Sequence, residues 1–225
     1  MKTVLITGVS RGIGLATAKK FLENGWQVIG TFNKTAVPMT HPGLVSIKLD
    51  ITSEESIAKA VESIQQVAPH LDVLINNAGV SADAFETSPN MQTVRATFET
   101  NVFGLMTLTE KLLPGIVTSG HIVNVSSRYG AFSFAIDGPD STAYRMSKAA
   151  LNMYTRTLAF RLKKKGVIVS AIHPGWVKTD MGNSAATEKE KPTIEPEEAA
   201  NEIYNLIMNK SESGQFWQFG KQREW

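Results

Sequence analysis

An α/β fold built on a doubly wound parallel sheet is predicted for this 225-residue chain by three observations. Apolar runs of strand length alternate with longer segments of helical period. Those runs are continuous, as in VLIT, VLIN and VIVSAI, which is how strands buried on both faces of a parallel sheet read. The first run also leads directly into TGVSRGIG, where three glycines fall within seven positions just as a helix should begin.

Taken in order, strands are expected at Thr3–Thr7, Gln27–Thr31, Leu44–Leu49, Asp72–Asn76, Gly120–Ser126 and Val167–His173, with a short last one at Gln215–Gln218. That makes about seven strands, with helices on both faces and ligands at the carboxyl ends. Helices are expected at Gly12–Asn24, Ser53–Ala68, Pro89–Leu113, Ser141–Lys165 and Pro196–Asn209. Thr52 or Ser53 ahead of Glu54-Glu55 supplies an N-cap with acids in the first turn, and Gly25 and Gly166 stand where C-terminal caps belong. Pro38 and Pro42 break Asn33–Gly43 into a loop, and the polar stretch Asp180–Glu195 reads as a mobile loop over a site. No internal repeat or linker composition interrupts residues 1–225, so a single domain is expected.

Composition narrows the classes. With 42% hydrophobic and 20% charged residues, no disordered or fibrous chain is indicated. The net charge is only +2, and Lys163-Lys164-Lys165 suits a solvated helix end, so no nucleic-acid partner is expected. The absence of cysteine removes disulfides, zinc–thiolate sites and thiol nucleophiles. His41, His70, His121 and His173 lie in no metal-ligand spacing, so no metal is expected. The apolar stretch after Met1-Lys2-Thr3 is too short for a signal-peptide core. No run reaches the roughly 18 apolar residues of a membrane span. A cytoplasmic protein with no membrane partner is the expectation.

Two local patterns carry chemistry. Gly8, Gly12 and Gly14 let a ligand approach the backbone at the start of a helix, whose free N–H groups and dipole favour an anion. The spacing differs from G-x-G-x-x-G, and a ligand-free tight turn is the alternative. Tyr144 and Lys148 lie four apart, on one helical face. A nearby cation lowers a phenol's pKa toward neutrality, whereas a core tyrosine with a snorkelling lysine is the alternative.

These patterns belong to an ordered series: TGVSRGIG, then Asn76-Asn77-Ala78-Gly79, Asn101, VNVSS at 123–127, Tyr144-Arg-Met-Ser-Lys148 and HPGWVKTDM at 173–181. The series resembles the short-chain dehydrogenase/reductase family from the first strand to the last helix. HPGWVKTDMGNSA and Trp225 are most similar to its C-factor and sniffer-like carbonyl-reductase branch. The resemblance implies a Rossmann fold and a nicotinamide cofactor. Gly8, Ser10, Arg11, Gly12, Ile13 and Gly14 would then meet the pyrophosphate. Asp50 and Ile51 would lie at the adenine, and Asn77, Ala78 and Gly79 at the adenosine ribose, although a structural turn or strand-end acid fits those positions too. Pro174, Gly175, Val177 and Thr179 would complete the cofactor site.

The implied catalytic set is Asn101, Ser127, Tyr144 and Lys148. Tyr144 would exchange the proton, Ser127 would steady the substrate oxygen, and Lys148 would hold the nicotinamide ribose and lower the phenol's pKa. Asn101, between Thr100 and Gly104, would sit at a helix kink and carry a water-mediated proton relay. Ser126 is the alternative to Ser127, but Ser127 matches the x-x-Gly of SSRYG better. The 17 positions from Ser127 to Tyr144 exceed the commonest family spacing, making the intervening loop long.

An NAD-binding chain usually carries an acid at the end of the second strand. Here Thr31-Phe32-Asn33-Lys34 offers none, while Arg11 and Lys34 suit a 2′-phosphate, so the expected cofactor is NADP(H). The expected reaction is reduction of a small carbonyl compound. Tyr129, Phe132, Phe134, Ile136 and Trp176 are expected to form an apolar wall favouring neutral aldehydes and ketones, with a dimer contact as their alternative role. Nucleotide-sugar epimerases also use Tyr-x-x-x-Lys but need a longer chain. A non-catalytic NADP(H)-binding sensor is the other reading. Family members pair through the two long helices, so a homodimer or homotetramer is expected.

Overall fold

A computed structural model describes residues 1–136, 138–209 and 212–225. In chain order the elements are β1 (Thr3–Ile6), α1 (Gly12–Glu23), β2 (Gln27–Phe32), β3 (Leu44–Lys48), α2 (Glu54–Val67), β4 (Leu71–Asn76), α3 (Met91–Phe98) and α4 (Leu105–Leu112). They continue through β5 (Ile116–Val125), α5 (Thr142–Leu162), β6 (Ile168–Ile172), α6 (Asp180–Ser184), α7 (Pro196–Met208), β7 (Gln215–Gln218) and β8 (Lys221–Arg223). The sheet runs β3-β2-β1-β4-β5-β6-β7-β8. Every pairing from β3 to β7 is parallel, and β8 returns antiparallel. Strand order reverses between β1 and β4, the place where such sheets open a ligand crevice.

The period-2 pleat explains the continuous apolar runs. In β1, Val4 and Ile6 face α1 and α7, packing with Phe21 and Ile203, while Leu5 faces the opposite core with Ile57, Leu108 and Leu158. Both faces are dry, so a polar residue at any of these positions would forfeit about 1.5–3 kcal/mol of burial. Where polar side chains do enter, they pair. Asn76 Nδ2 donates to Thr109 Oγ1 at 3.0 Å and to Asn124 Oδ1 at 2.8 Å, and Asn124 Nδ2 donates to Thr155 Oγ1 at 2.9 Å. The ends of β4 and β5 are thereby tied to α4 and α5.

The sequence expectations need four corrections. The sheet has eight strands, because β8 follows β7 through a turn at Phe219 (φ 49°) and Gly220 (φ 68°); Phe-Gly is not a usual signal for that turn. Strand β5 starts at Ile116, four residues early, since Val117–Gly120 reads as a turn. The long helix expected at Pro89–Leu113 begins at Met91, with Asn90 as its cap, and is divided by a π-helical segment at Glu99–Gly104. The expected loop after Thr179 instead opens with α6, and Val177 bridges Ile194 beyond it. Ser53 caps α2 by accepting from the Ser56 amide, as one of the two expected candidates. Among the described residues, no helix is long and apolar enough to cross a membrane.

Candidate active site

A cleft of about 1150 Å³ opens at the strand reversal. At one end β1 turns through Gly8 (φ 75°), whose amide and that of Val9 donate to Thr31 O at 3.0 and 2.9 Å. A Cβ on Gly14 would stand 2.1 Å from Gly8 O and 2.5 Å from Asn77 Nδ2, so the helix can approach the turn only as glycine. Asn77 Nδ2 donates to Thr7 O at 2.8 Å and Gly8 O at 3.1 Å, while Thr7 Oγ1 accepts from the amides of Asn77 and Ala78, both at 2.9 Å. The strand-tying role expected of Asn77 is therefore present. No side chain caps α1, and its first turn carries no acid. Its N–H groups and positive dipole end are left for an anion.

Of the residues expected at the cofactor, Gly8, Ser10, Arg11, Gly12, Ile13, Gly14, Asn33, Lys34, Ile51, Asn77, Ala78, Gly79, Pro174, Gly175, Val177 and Thr179 all line this cleft. Asp50 does not. Its Oδ1 accepts from Thr52 N at 3.0 Å and Thr52 Oγ1 at 2.7 Å, and those bonds, with Asn33 and Lys34 beyond them, hold the carboxyl below its usual range. Arg11 forms an exposed ion pair with Asp180 at 2.8 Å, joining the starts of α1 and α6 across the mouth of the cleft.

Tyr144, Lys148 and Ser127 meet at the other end. Tyr144 lies in the first turn of α5 and Lys148 one turn later. Ser127 caps a 3₁₀ turn at Arg128–Gly130, its Oγ accepting from Tyr129 N at 3.2 Å. Ser126 is committed elsewhere, with Oγ on Asn152 Oδ1. The geometry therefore sets Ser127, not Ser126, beside the phenol. Lys148 Nζ donates to Val125 O at 2.9 Å and lies 5.6 Å from the centre of the Tyr144 ring.

Desolvation dominates the electrostatics at this end. Burial pushes the Tyr144 phenol up to about 12; the Ser127 hydrogen bond opposes this, while Tyr129 and Asp83 add to it. Burial also pushes Lys148 down to about 8. It is the largest influence on both groups; the expected lowering of the phenol relies on a cationic nicotinamide ring as well as on the ammonium.

Asn101 is fully buried in the π-helical segment, so the expected kink exists, but the side chain does not line the cleft. Its Nδ2 donates to Val80 O at 2.9 Å and Ser147 Oγ at 3.0 Å, and its Oδ1 accepts from Val80 N at 2.8 Å. The carboxamide joins the β4 loop to α5.

The expected apolar wall is also corrected. Tyr129 and Trp176 line the cleft, but Phe132 and Ile136 are 91% and 78% exposed, and Phe134 lies under the Arg128 guanidinium at 4.5 Å. Arg128 itself lines the reactive end. Asp137, in the same loop, lies outside the described residues. Sequence reasoning missed His173, which lines the cleft with its Nδ1 unpartnered among the described residues and is pushed down to about 3 by burial. It also missed Asp83, buried beneath the start of α5. A histidine in HPGW and an acid soon after NNAG were the available signals, and neither names its distant partner.

A cleft at the carboxyl ends of a parallel sheet, with an uncapped helix start at one end and Tyr144, Ser127 and Lys148 together at the other, is the framework of a dehydrogenase-class α/β protein. The family model described as short chain dehydrogenase matches residues 2–190, and the chain belongs to that family. It is 31% identical over 221 residues to serine 3-dehydrogenase of Agrobacterium fabrum, covering 90% of this chain and 86% of that protein. The NADPH-bound carbonyl reductase from chicken fatty liver matches the structure with TM-score 0.86 and 28% identity, over 100% of this chain and 94% of that one. Carbonyl reductase Sniffer of Drosophila melanogaster matches with TM-score 0.87 and 28% identity, over 100% of both chains.

Proposed function

We propose that this family member is an NADPH-dependent reductase converting a small aldehyde or ketone to its alcohol. The observation that carries the reading is the half-buried Tyr144 phenol beside Ser127, in one cleft with the Gly8–Gly14 turn. The residues fit a dinucleotide, since the uncapped α1 N-terminus and the close approach at Gly14 make a phosphate seat. Arg11 and Lys34 line that end with no acid at Thr31–Lys34, which favours a 2′-phosphate. When bound, NADPH supplies the hydride for the carbonyl carbon.

Tyr144 Oη gives its proton to the carbonyl oxygen. A phenol raised to about 12 stays protonated at neutral pH, the form a general acid needs. Ser127 Oγ donates a hydrogen bond to the same oxygen and steadies its developing charge. Lys148 Nζ uses one N–H on Val125 O; its other donors suit ribose hydroxyls, and its charge favours the phenolate that remains. Asn101 acts by position, holding Val80 and Ser147 in place.

The deciding experiment is titration with NADPH and NADH at one salt concentration, followed by a carbonyl panel read by NADPH consumption. Tighter NADPH binding with turnover is the expected result. Binding without turnover on any carbonyl would favour the sensor reading. Met146, Met153 and Phe160 recur every seven residues on the exposed side of α5, and they support self-association, checked by light scattering.

A further inference from the structure

The helix that carries Tyr144 is not capped by its own sequence. Ser141 occupies the N-cap of α5 at φ 59°, ψ 29°, and its side chain makes no capping bond. The acceptor comes from Asp83, 60 residues before Ala143 in the loop after β4. Asp83 Oδ2 accepts from the Ala143 amide at 2.6 Å and from the Tyr144 amide at 3.4 Å. Its backbone carbonyl accepts from Ser141 N at 3.1 Å.

This carboxylate is 2% exposed, and its Oδ1 has no hydrogen-bond partner among the described residues. Removing a carboxylate from water is costly. What offsets that cost here is a pair of amides at the positive end of a 21-residue helix. The same loop is pinned a second time, where Asn101 holds Val80 and Ser147. Two buried polar side chains thus fasten the end of β4 to the first turns of α5.

We propose that Asp83 is a positioning residue of the active site, clamping the first turn of α5 so that Tyr144 Oη is held in place beside Ser127. The proposal rests on Tyr144 being the proton donor. Its amide is itself a ligand of the clamp, so slack at Asp83 passes directly to the phenol. Displacements of about 1 Å at a reacting group cost up to about a hundredfold in rate.

The carboxylate also acts on the phenol through its charge. The groups facing Tyr144 are Lys148 from α5, Ser127 and Tyr129 from the 3₁₀ turn, and Asp83 from below. Arg145 beside it is stacked on Tyr129 at 3.9 Å and paired with Asp140 at 3.6 Å. Asp83 is the carboxylate that opposes ionisation of the phenol.

The test compares Asp83→Ala and Asp83→Asn with Tyr144→Phe in the full-length protein. Asp83→Ala should lower kcat by about 10- to 100-fold while the NADPH dissociation constant stays unchanged. Amide hydrogen exchange at Ala143 and Tyr144 should rise. Asp83→Asn keeps an acceptor oxygen and should restore most of kcat. In alcohol oxidation, where Tyr144 must ionise, its rising pH limb should move to lower pH than in the wild type. A folded Ala variant with kcat within twofold of wild type overturns the proposal, as does an equal loss of kcat and NADPH affinity. Should the Ala variant fail to fold, an Asn variant with an unmoved pH limb overturns it. If Tyr144→Phe keeps full turnover, the functional reading fails instead, and unchanged exchange at Ala143 and Tyr144 in either Asp83 variant overturns the clamp.

Discussion

At the Gly8–Gly14 end the cleft is made of backbone; at the end where Ser127, Tyr144 and Lys148 meet it is made of side chains. The first end needs room and bare N–H groups, so its essential positions are the ones where a Cβ cannot stand. The second needs a phenol, a hydroxyl and an ammonium at fixed places, and distant residues hold them there: Asn101, Asn152 and Asp83. Steric requirements at the first end are written beside one another in the chain. Positional requirements at the second are spread over loops that meet only in the folded molecule.

The sharpest way to test that division is to damage one end and measure the other. Tyr144→Phe keeps the ring and removes the proton donor. Turnover on an active carbonyl should fall by about 10²–10⁴-fold, while fluorescence titration gives an unchanged NADPH dissociation constant. Near-normal turnover would refute the assigned chemistry.

Gly14→Ala is the converse. Its Cβ would meet Gly8 O at 2.1 Å and Asn77 Nδ2 at 2.5 Å, and the forced shift should cost about 1–3 kcal/mol of stability. NADPH affinity should fall with it. Denaturant unfolding and cofactor titration together check this, and a variant that bound NADPH normally would break the comparison.

A third effect separates the ends by pH. Burial pushes His121 down to about 4 and His173 down to about 3, so both are neutral in the folded chain at neutral pH. The unfolded chain takes up these protons as pH falls through about 6.5. Their contribution is therefore present above that value and lost below it. The loss approaches about 1.4 kcal/mol per pH unit for each histidine down to about pH 4. His121, bonded to Ser170 at 2.9 Å, lies away from the cleft. Replacing it with Asn should flatten the acid limb of stability, read as urea midpoints from pH 7 to pH 4.5, without changing KM for the carbonyl.

The smallest expected effect concerns selectivity. Arg128 lines the reactive end, stacked on Phe134. Arg128→Leu should lower kcat/KM for an anionic keto acid relative to a neutral ketone by about two- to fivefold, the scale of an exposed ion pair. An unchanged ratio would show that the stacked arginine does not read the substrate.

Much of this site could be read from the chain alone. The strand–glycine–helix start, the four-residue step from Tyr144 to Lys148 and the glycine after Ser127 are local rules of backbone and helix geometry. Asp50 shows one limit of reading by position: it stands where the family places an adenine contact, and the pattern does not name Thr52, whose amide and hydroxyl donate to its Oδ1. Phe132 and Ile136 show another. An apolar residue in a loop can face either way, and here both face outward.

By itself, the sequence determined most of the order of elements, the two dry faces of the sheet and the glycine turn into α1. Each follows from a pattern shorter than a single helix, where pleat, helical pitch and glycine's missing Cβ act between near neighbours. Tertiary structure alone decided that β8 ends the sheet, that Asn101 bonds Val80 and Ser147, that the phenol is desolvated, and that Asp83 caps α5. Burial and hydrogen bonding depend on which segments come into contact, and no spacing along the chain encodes how dry a group becomes once they do.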